Sequence, residues 1–454
     1  MASNWFSIKS GTGPERRVGW ANVFLPRRLL LLCSLVSASW MNETAQAAGQ
    51  NGEVVPIAGL SSVFHRAILD AFPEARTRNM ACAPLGMWRL FRLLEAGADG
   101  STLEEMKMVL DAEEVNLDIP SPSSYMRGPS LTIRPVERLI ANPAFFSDRT
   151  FNQYCGDMEE RYHATVELLD FGDTPARAAA AINRFVAEVT SNAITQVVSQ
   201  LDFSPDTKLA AISAMFFKAA WRHPFLPVGR GAFNAILPGG ASVLKFCDFM
   251  RNDFPELAVE YIDGPVKAIR LPYTQTEFAM YIFMPKDIQV FEANADFEIL
   301  LDDLVDQMHL GLSVRRQRPE KHQGNVHVLL PRFSLSADEN SFDASRVLQV
   351  MGIHELFNRP NLSRMTENPR AYVDMFKQAV QLNVNEQHTV AAAGTAADVP
   401  TRGSSGTQIT RFLHFTEPFV FQVRHQPNYE NPGPWWATTD LVLFSGHVMD
   451  CETD

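Results

Sequence analysis

Apolar residues recur at Leu60, Val63, Phe64, Ala67, Ile68, Ala71 and Phe72. This is the three-and-four spacing of one helix face, and it predicts an amphipathic helix over 58–73. Further helices are predicted at 83–97, 101–110 and near 176–190, where Ile182, Phe185, Val186 and Val189 share a face. Ser101 followed by Glu104 has the spacing of a capping box for the helix at 101–110. Leu209 to Phe217 is an unbroken apolar run, as expected of a strand buried on both faces. Val266 to Met284 reads as two strands joined by a turn at Tyr273–Glu277. Val326 to Leu335 reads as one strand through Pro331. Alternation at Val380, Leu382 and Val384, and the runs Phe419–Arg424 and Leu441–Gly446, predict the last strands. Helices and strands are interleaved irregularly, with no internal repeat and no linker between halves. That pattern favours an α+β fold over a strict βαβ succession.

The chain has 454 residues, 46% of them hydrophobic and 20% charged. This excludes a disordered chain and is ample for a large core. Net charge is −12. The first 47 residues hold five basic and two acidic groups; beyond them 35 basic and 50 acidic groups remain, a net of −15. An acidic body argues against nucleic-acid and anionic-membrane partners, which need Lys and Arg to neutralise phosphate. Arg27-Arg28, the apolar run Leu29–Val36 and the small-residue site Ala45-Gln46-Ala47 follow the order of a secretory signal. Residues 1–47 are therefore expected to be a cleaved signal peptide and 48–454 a single secreted domain. An internal start at Met41 would instead give a cytoplasmic protein. After removal of Cys33, the cysteines Cys82, Cys155, Cys247 and Cys451 allow three complete pairings, or free buried thiols. Asn361-Leu362-Ser363 is a glycosylation sequon, relevant to a secreted chain.

No enzymatic constellation is evident. There is no G-x-S-x-G elbow and no phosphate-binding loop, and His354-Glu355 does not extend to HExxH. The scattered histidines, including His322 and His327, read as surface or core residues, and Asp302-Asp303 as a solvated pair. No cofactor, metal or catalytic residue is expected. Arg315, Arg316, Arg318 and Lys321 form a basic cluster. It reads as a solvated loop or, alternatively, as a site for a sulfated polysaccharide.

The unusual stretch is 386–411, which continues directly from the strand ending at Val384. Every second residue from Thr389 (Thr389, Ala391, Ala393, Thr395, Ala397, Val399, Thr401) is small and uncharged, while Asp398 falls on the other register. With a period of two, the segment could form a strand with one face on a core. Its Ala and Gly content gives little local preference to do so. It reads as a loop able to enter a sheet.

Several segments, in order, carry a family resemblance. These are Asn79 to Leu85 and Gly97 to Thr102; Leu139 to Asn142 with Phe145-Phe146; Asp170-Phe171; and Ile182-Asn183 with Val186. Phe217-Lys218, Trp221 and Phe225 follow, then Leu330-Pro331-Arg332-Phe333, Val384 to Ala393, Pro418-Phe419 with Arg424-His425, and Leu443 to Val448. The sequence resembles the serpins, the large metastable inhibitors of serine proteases, over about 58–450. The resemblance implies three β-sheets, eight or nine helices and an exposed reactive loop at about 386–411. It also implies a monomer without enzymatic activity, and a covalent complex with the target protease. The hinge would be Glu386, His388, Thr389 and Ala391, Ala392, Ala393. The family's bait bond follows the seventeenth residue counted from the hinge glutamate, which is Arg402, so the bond would be Arg402–Gly403. An arginine bait implies a trypsin-like protease, whose pocket carries a buried carboxylate. The alternative is a non-inhibitory carrier or chaperone. Departures from the pattern lie at the hinge, where His388 replaces glycine, and where the main sheet must open. There Ala83, Gly86, Ser213 and Gln378 replace serine, serine, asparagine and histidine, while Trp221 is retained. The opening is expected to be held by a different set of bonds.

Overall fold

The computed structural model describes residues 57–110, 127–128, 130–162, 164–171, 175–294, 296–389, 409–426 and 441–451. All of them belong to one compact unit, Val54–Asp454. Among the described residues the α-helices are α1 (Ile57–Ala71), α2 (Pro84–Gly97), α3 (Gly100–Leu110), α4 (Arg149–Tyr162), α5 (Pro175–Val189), α6 (Ile288–Glu292), α7 (Phe297–Arg316) and α8 (Ala344–Val350). The strands are β1 (Met80–Cys82), β2 (Arg127–Gly128), β3 (Leu131–Ala141), β4 (Val166–Leu168), β5 (Leu209–Ala220), β6 (Leu226–Ile236), β7 (Ser242–Pro255), β8 (Tyr261–Ile262) and β9 (Val266–Pro272). They continue as β10 (Phe278–Pro285), β11 (Asn325–Pro331), β12 (Phe333–Leu335), β13 (Ser341–Asp343), β14 (Val373–Val384), β15 (His388–Thr389), β16 (Ile409–His414), β17 (Phe419–His425) and β18 (Leu441–Val448).

Three sheets result. The largest has eight strands in the order β12-β14-β15-β5-β3-β2, with β13 on β14 and β4 on β3; β14 and β5 also pair with each other. A six-stranded sheet runs β1-β18-β17-β10-β9-β8 and a four-stranded one β16-β11-β7-β6. Side-chain alternation explains why the middle strands are apolar throughout. On β5, Ala210, Ile212, Ala214 and Phe216 pack under α5, while Met215, Phe217 and Ala219 join the opposite core. On β10, Phe278, Met280 and Ile282 face that same core, and Ala279, Tyr281 and Phe283 face α6 and α7. A strand covered on both sides has no polar face to show. Gly446 is required where β1 crosses close to β18: a Cβ there would meet Met80 O at 2.2 Å.

Three expectations change. Ser101 does not cap α3; the helix already includes Gly100, and the Ser101 hydroxyl donates to Glu355 Oε2 at 2.9 Å. The apolar run Val326–Leu335 is two strands, not one. It breaks at Arg332, so β11 lies in the four-stranded sheet and β12 in the eight-stranded one. Pro331 has no N–H for a ladder to use, which suits the end of a strand. Of the cysteine outcomes left open, one bridge forms, Cys247–Cys451. Cys82 and Cys155 are free thiols, the former buried and with its pKa pushed by burial to about 12.

His425, at the end of β17, stacks on Phe278 with ring centroids 4.3 Å apart. Burial pushes its imidazole from 6.5 down to about 4. Above 6.5 neither folded nor unfolded chain holds this proton. Between about 4 and 6.5 only the unfolded chain does, so stability falls as pH drops through that window, by up to about 1.4 kcal/mol per pH unit. The variant His425→Phe should show a shallower loss of urea midpoint between pH 6.5 and 4 than the parent; parallel curves would remove burial of His425 as the cause.

Candidate functional site: the opening of the largest sheet

The middle of the eight-stranded sheet holds a parallel pair. From Met375↔Ala210 to Gln381↔Phe216, β14 lies directly against β5. Above this point β14 runs on to Val384, the chain turns, and it re-enters the sheet as β15. There Thr389 is opposite both Val384 and Ala219, and His388 is opposite Ala220. Two residues of the predicted hinge thus already sit between the two strands, antiparallel to both, while the lower part of the seam is closed.

The turn is held by named bonds. The Asn385 side-chain oxygen accepts from Gln387 N at 3.1 Å, a local closure that Asn makes readily. Trp221 Nε1 donates to Asn385 O at 2.8 Å, Trp221 N to Gln387 O at 3.2 Å, and Phe225 N to Glu386 O at 2.8 Å. Trp221 is itself fixed by stacking on Tyr273, with centroids 4.7 Å apart and planes 11° from parallel. The Glu386 carboxylate receives Arg332 through Nε at 2.6 Å and also through Nη2. This two-point grip suits the planar guanidinium. Arg332 occupies the break between β11 and β12, so one residue ties the hinge to two sheets. In the sequence Arg332 stands out only within Leu330-Pro331-Arg332-Phe333, and its partner Glu386 is 54 residues away. A cation between the apolar Pro331 and Phe333 was the available signal.

The expected gate residues come together lower down. Gln378 and Ser213 are register partners across the seam, and both are fully buried. Gln378 Nε2 donates to Ser213 Oγ at 3.2 Å and to Ala83 O at 2.8 Å; its Oε1 accepts from Ala83 N at 2.9 Å. One amide therefore satisfies both backbone groups of the residue that begins α2. Gly86 leaves room for this arrangement, since a Cβ there would lie 2.6 Å from Ser213 Oγ. Ala391, Ala392, Ala393, Arg402 and Gly403 lie outside the described residues. Asn361 is exposed, and its Oδ1 accepts from Ser363 N. The basic cluster is not one surface patch. Arg315 is buried, lies over the Tyr261 ring and donates to Val259 O at 2.8 Å, which leaves Arg316, Arg318 and Lys321 exposed. Asp302, expected in a solvated pair, forms an ion pair with the buried Arg424 at 2.9 Å.

Replacing Gln378 by Leu would leave Ala83 N and the Ser213 hydroxyl without this partner, while Ala83 O keeps Gly86 N and Met87 N. Each orphaned buried group costs about 1–3 kcal/mol. Gln378→Leu should lower unfolding stability by about 2–5 kcal/mol, read from urea midpoints. A change below about 1 kcal/mol would mean that the amide does not hold the seam.

The family model described as serpin, serine protease inhibitor, matches residues 61–451. Iripin-2 of Ixodes ricinus is 27% identical over 443 residues, covering 94% of this chain and 98% of that protein. Serine proteinase inhibitor 2 of Myxoma virus (strain Uriarra) is 26% identical over 361 residues, 79% of this chain and 94% of that one. Among solved structures, human glycosylated kallistatin superposes with a TM-score of 0.67 at 20% identity, covering 88% of this chain and 98% of that chain. Human thyroxine-binding globulin gives 0.67 at 18% identity, with 87% and 98% covered. A match over nearly the whole described body, joined to the three-sheet architecture, means that this chain belongs to the serpin family of serine protease inhibitors.

Proposed function

We propose that this chain is a suicide substrate for trypsin-like serine proteases, with Arg402–Gly403 as the bait bond. The protease serine attacks the Arg402 carbonyl, the peptide bond to Gly403 breaks, and the protease remains acylated on Arg402. The freed strand then enters the seam between β14 and β5 and carries the protease with it. Strand insertion of this kind releases stored strain.

The observation that carries this reading is the register of β15. With His388 opposite Ala220 and Thr389 opposite Ala219, an unbroken continuation would set Ala391 opposite Phe217, Ala393 opposite Met215, Thr395 opposite Ser213 and Ala397 opposite Ala211. Opposite residues of a ladder share a face. The small, uncharged register would therefore point to the same side as Met215, Phe217 and Ala219, which is packed core. Larger side chains would not fit there without displacing it. Thr395 would arrive at the Ser213–Gln378 bond, which must part. About ten new ladder bonds at roughly 1 kcal/mol net each would favour insertion by about 10 kcal/mol. That is comparable with the whole stability of an ordinary domain, about 5–15 kcal/mol, so the uninserted form must be held kinetically.

A second reading, a non-inhibitory carrier or chaperone, draws on His388, which stands where the family has a hinge glycine, and on the rebuilt gate. Secretion after removal of residues 1–47 belongs to the leading reading, and amino-terminal sequencing of the native protein tests it. A sulfated polysaccharide partner would have only Arg316, Arg318 and Lys321 of the basic cluster to use.

Incubation with trypsin should yield an SDS-stable complex and a new amino terminus at Gly403, and the nicked chain should melt well above the intact one. Arg402→Ala should slow complex formation by about 100-fold or more, the factor expected from losing a hydrogen-bonded charge pair worth about 3 kcal/mol. Cleavage that leaves trypsin fully active, with no gain in melting temperature, would favour the carrier reading.

A further inference from the structure

Far along the chain from the sheet opening, three side chains converge. His65 on α1, Glu292 on α6 and His447 on β18 are 0%, 1% and 0% exposed. Their facing ligand atoms all lie within 4.8 Å of one another. His65 Nε2 is 3.1 Å from Glu292 Oε1, and His447 Nδ1 is 2.6 Å from the same oxygen. The other ring nitrogens are held from behind. His447 Nε2 lies 2.9 Å from Ala75 O and 3.0 Å from Arg78 O. Carbonyls and carboxylates only accept, so Nε2 donates outward and Nδ1 donates inward to Glu292; a metal ion bound here would take the place of that inward proton. His65 Nδ1 lies 3.0 Å from Ser445 Oγ.

We propose that His65, Glu292 and His447 bind a single zinc ion, at a site separate from the reactive loop and its seam. Two imidazoles and one carboxylate, with a solvent molecule in the fourth position, form a recurrent zinc ligand set. Holding each imidazole through its outer nitrogen is how such ligands are oriented. In a tetrahedral centre with bonds of about 2.0–2.1 Å, neighbouring ligand atoms are about 3.3 Å apart. The contacts of 3.1 Å and 2.6 Å are close to that, so the ion requires a small outward shift of the rings and no refolding. Two nitrogen donors select against calcium and magnesium, which take oxygen ligands. The ion would staple three segments separated by 227 and 155 residues, against the six-stranded sheet and away from the sheet that opens.

The test uses the full chain, stripped with chelator, loaded with zinc and dialysed. One equivalent of zinc should remain by atomic emission. The melting temperature should rise by about 3 °C at zinc concentrations a hundredfold above the Kd, and fall back with EDTA. Cobalt(II) added to the stripped parent should give the intense visible d–d bands of a four-coordinate centre. His65→Gln should abolish both the retained zinc and those bands. If that buried variant does not fold, the cobalt spectrum of the parent decides alone. Loss of all zinc on dialysis with an unmoved melting temperature overturns the proposal. So does a weak six-coordinate cobalt spectrum, or a folded His65→Gln protein that still keeps its zinc.

Discussion

Two parallel strands hold each other in the middle of the largest sheet, and the rest of the architecture is arranged around that contact. Leu209–Ala220 and Val373–Val384 are joined directly over most of their length. At one end the two residues of β15 lie between them, running the opposite way and pairing with both. Below that point the two strands satisfy each other's backbone directly.

The groups that bear on this choice are of two kinds. At the mouth, Trp221, Phe225 and Arg332 bind the backbone and carboxylate of residues 385–387, so the turn is anchored while β15 lies between the two strands. In the closed part, Gln378 links β14 to Ser213 on β5 and to the start of α2. Both sets are polar and largely enclosed, where a hydrogen bond is strong and a lost partner is costly. The apolar packing lies behind them, and these few bonds join the two strands to their surroundings across the seam. The substitutions at Ala83, Gly86, Ser213 and Gln378 make sense as one set. A longer amide at 378 reaches the Ala83 backbone, and the missing side chain at 86 gives Ser213 its space.

The six-stranded sheet is enclosed in a different way. Its middle strands are buried on both faces, and its edge is closed by β1 lying on Gly446. The buried His65–Glu292–His447 cluster joins that sheet to α1 and α6.

The sequence by itself determined most of the elements. Helical spacing at Leu60–Phe72 and the doubly buried run Leu209–Phe217 are local patterns set by which faces must be covered. The small register from Thr389 is likewise a local pattern, but beyond Thr389 it lies outside the described residues. The single strand expected through Pro331 failed because Arg332 leaves one sheet for another, a choice made by partners distant in sequence. Ser101 was read as a cap from spacing alone, but Glu355, distant in the chain, claims its hydroxyl. Arg332 meeting Glu386, Gln378 reaching Ala83, and two histidines closing on Glu292 are all encounters across more than fifty residues. No periodicity records them. Only the packed structure brings such groups within hydrogen-bond range, and burial then makes each of those bonds matter.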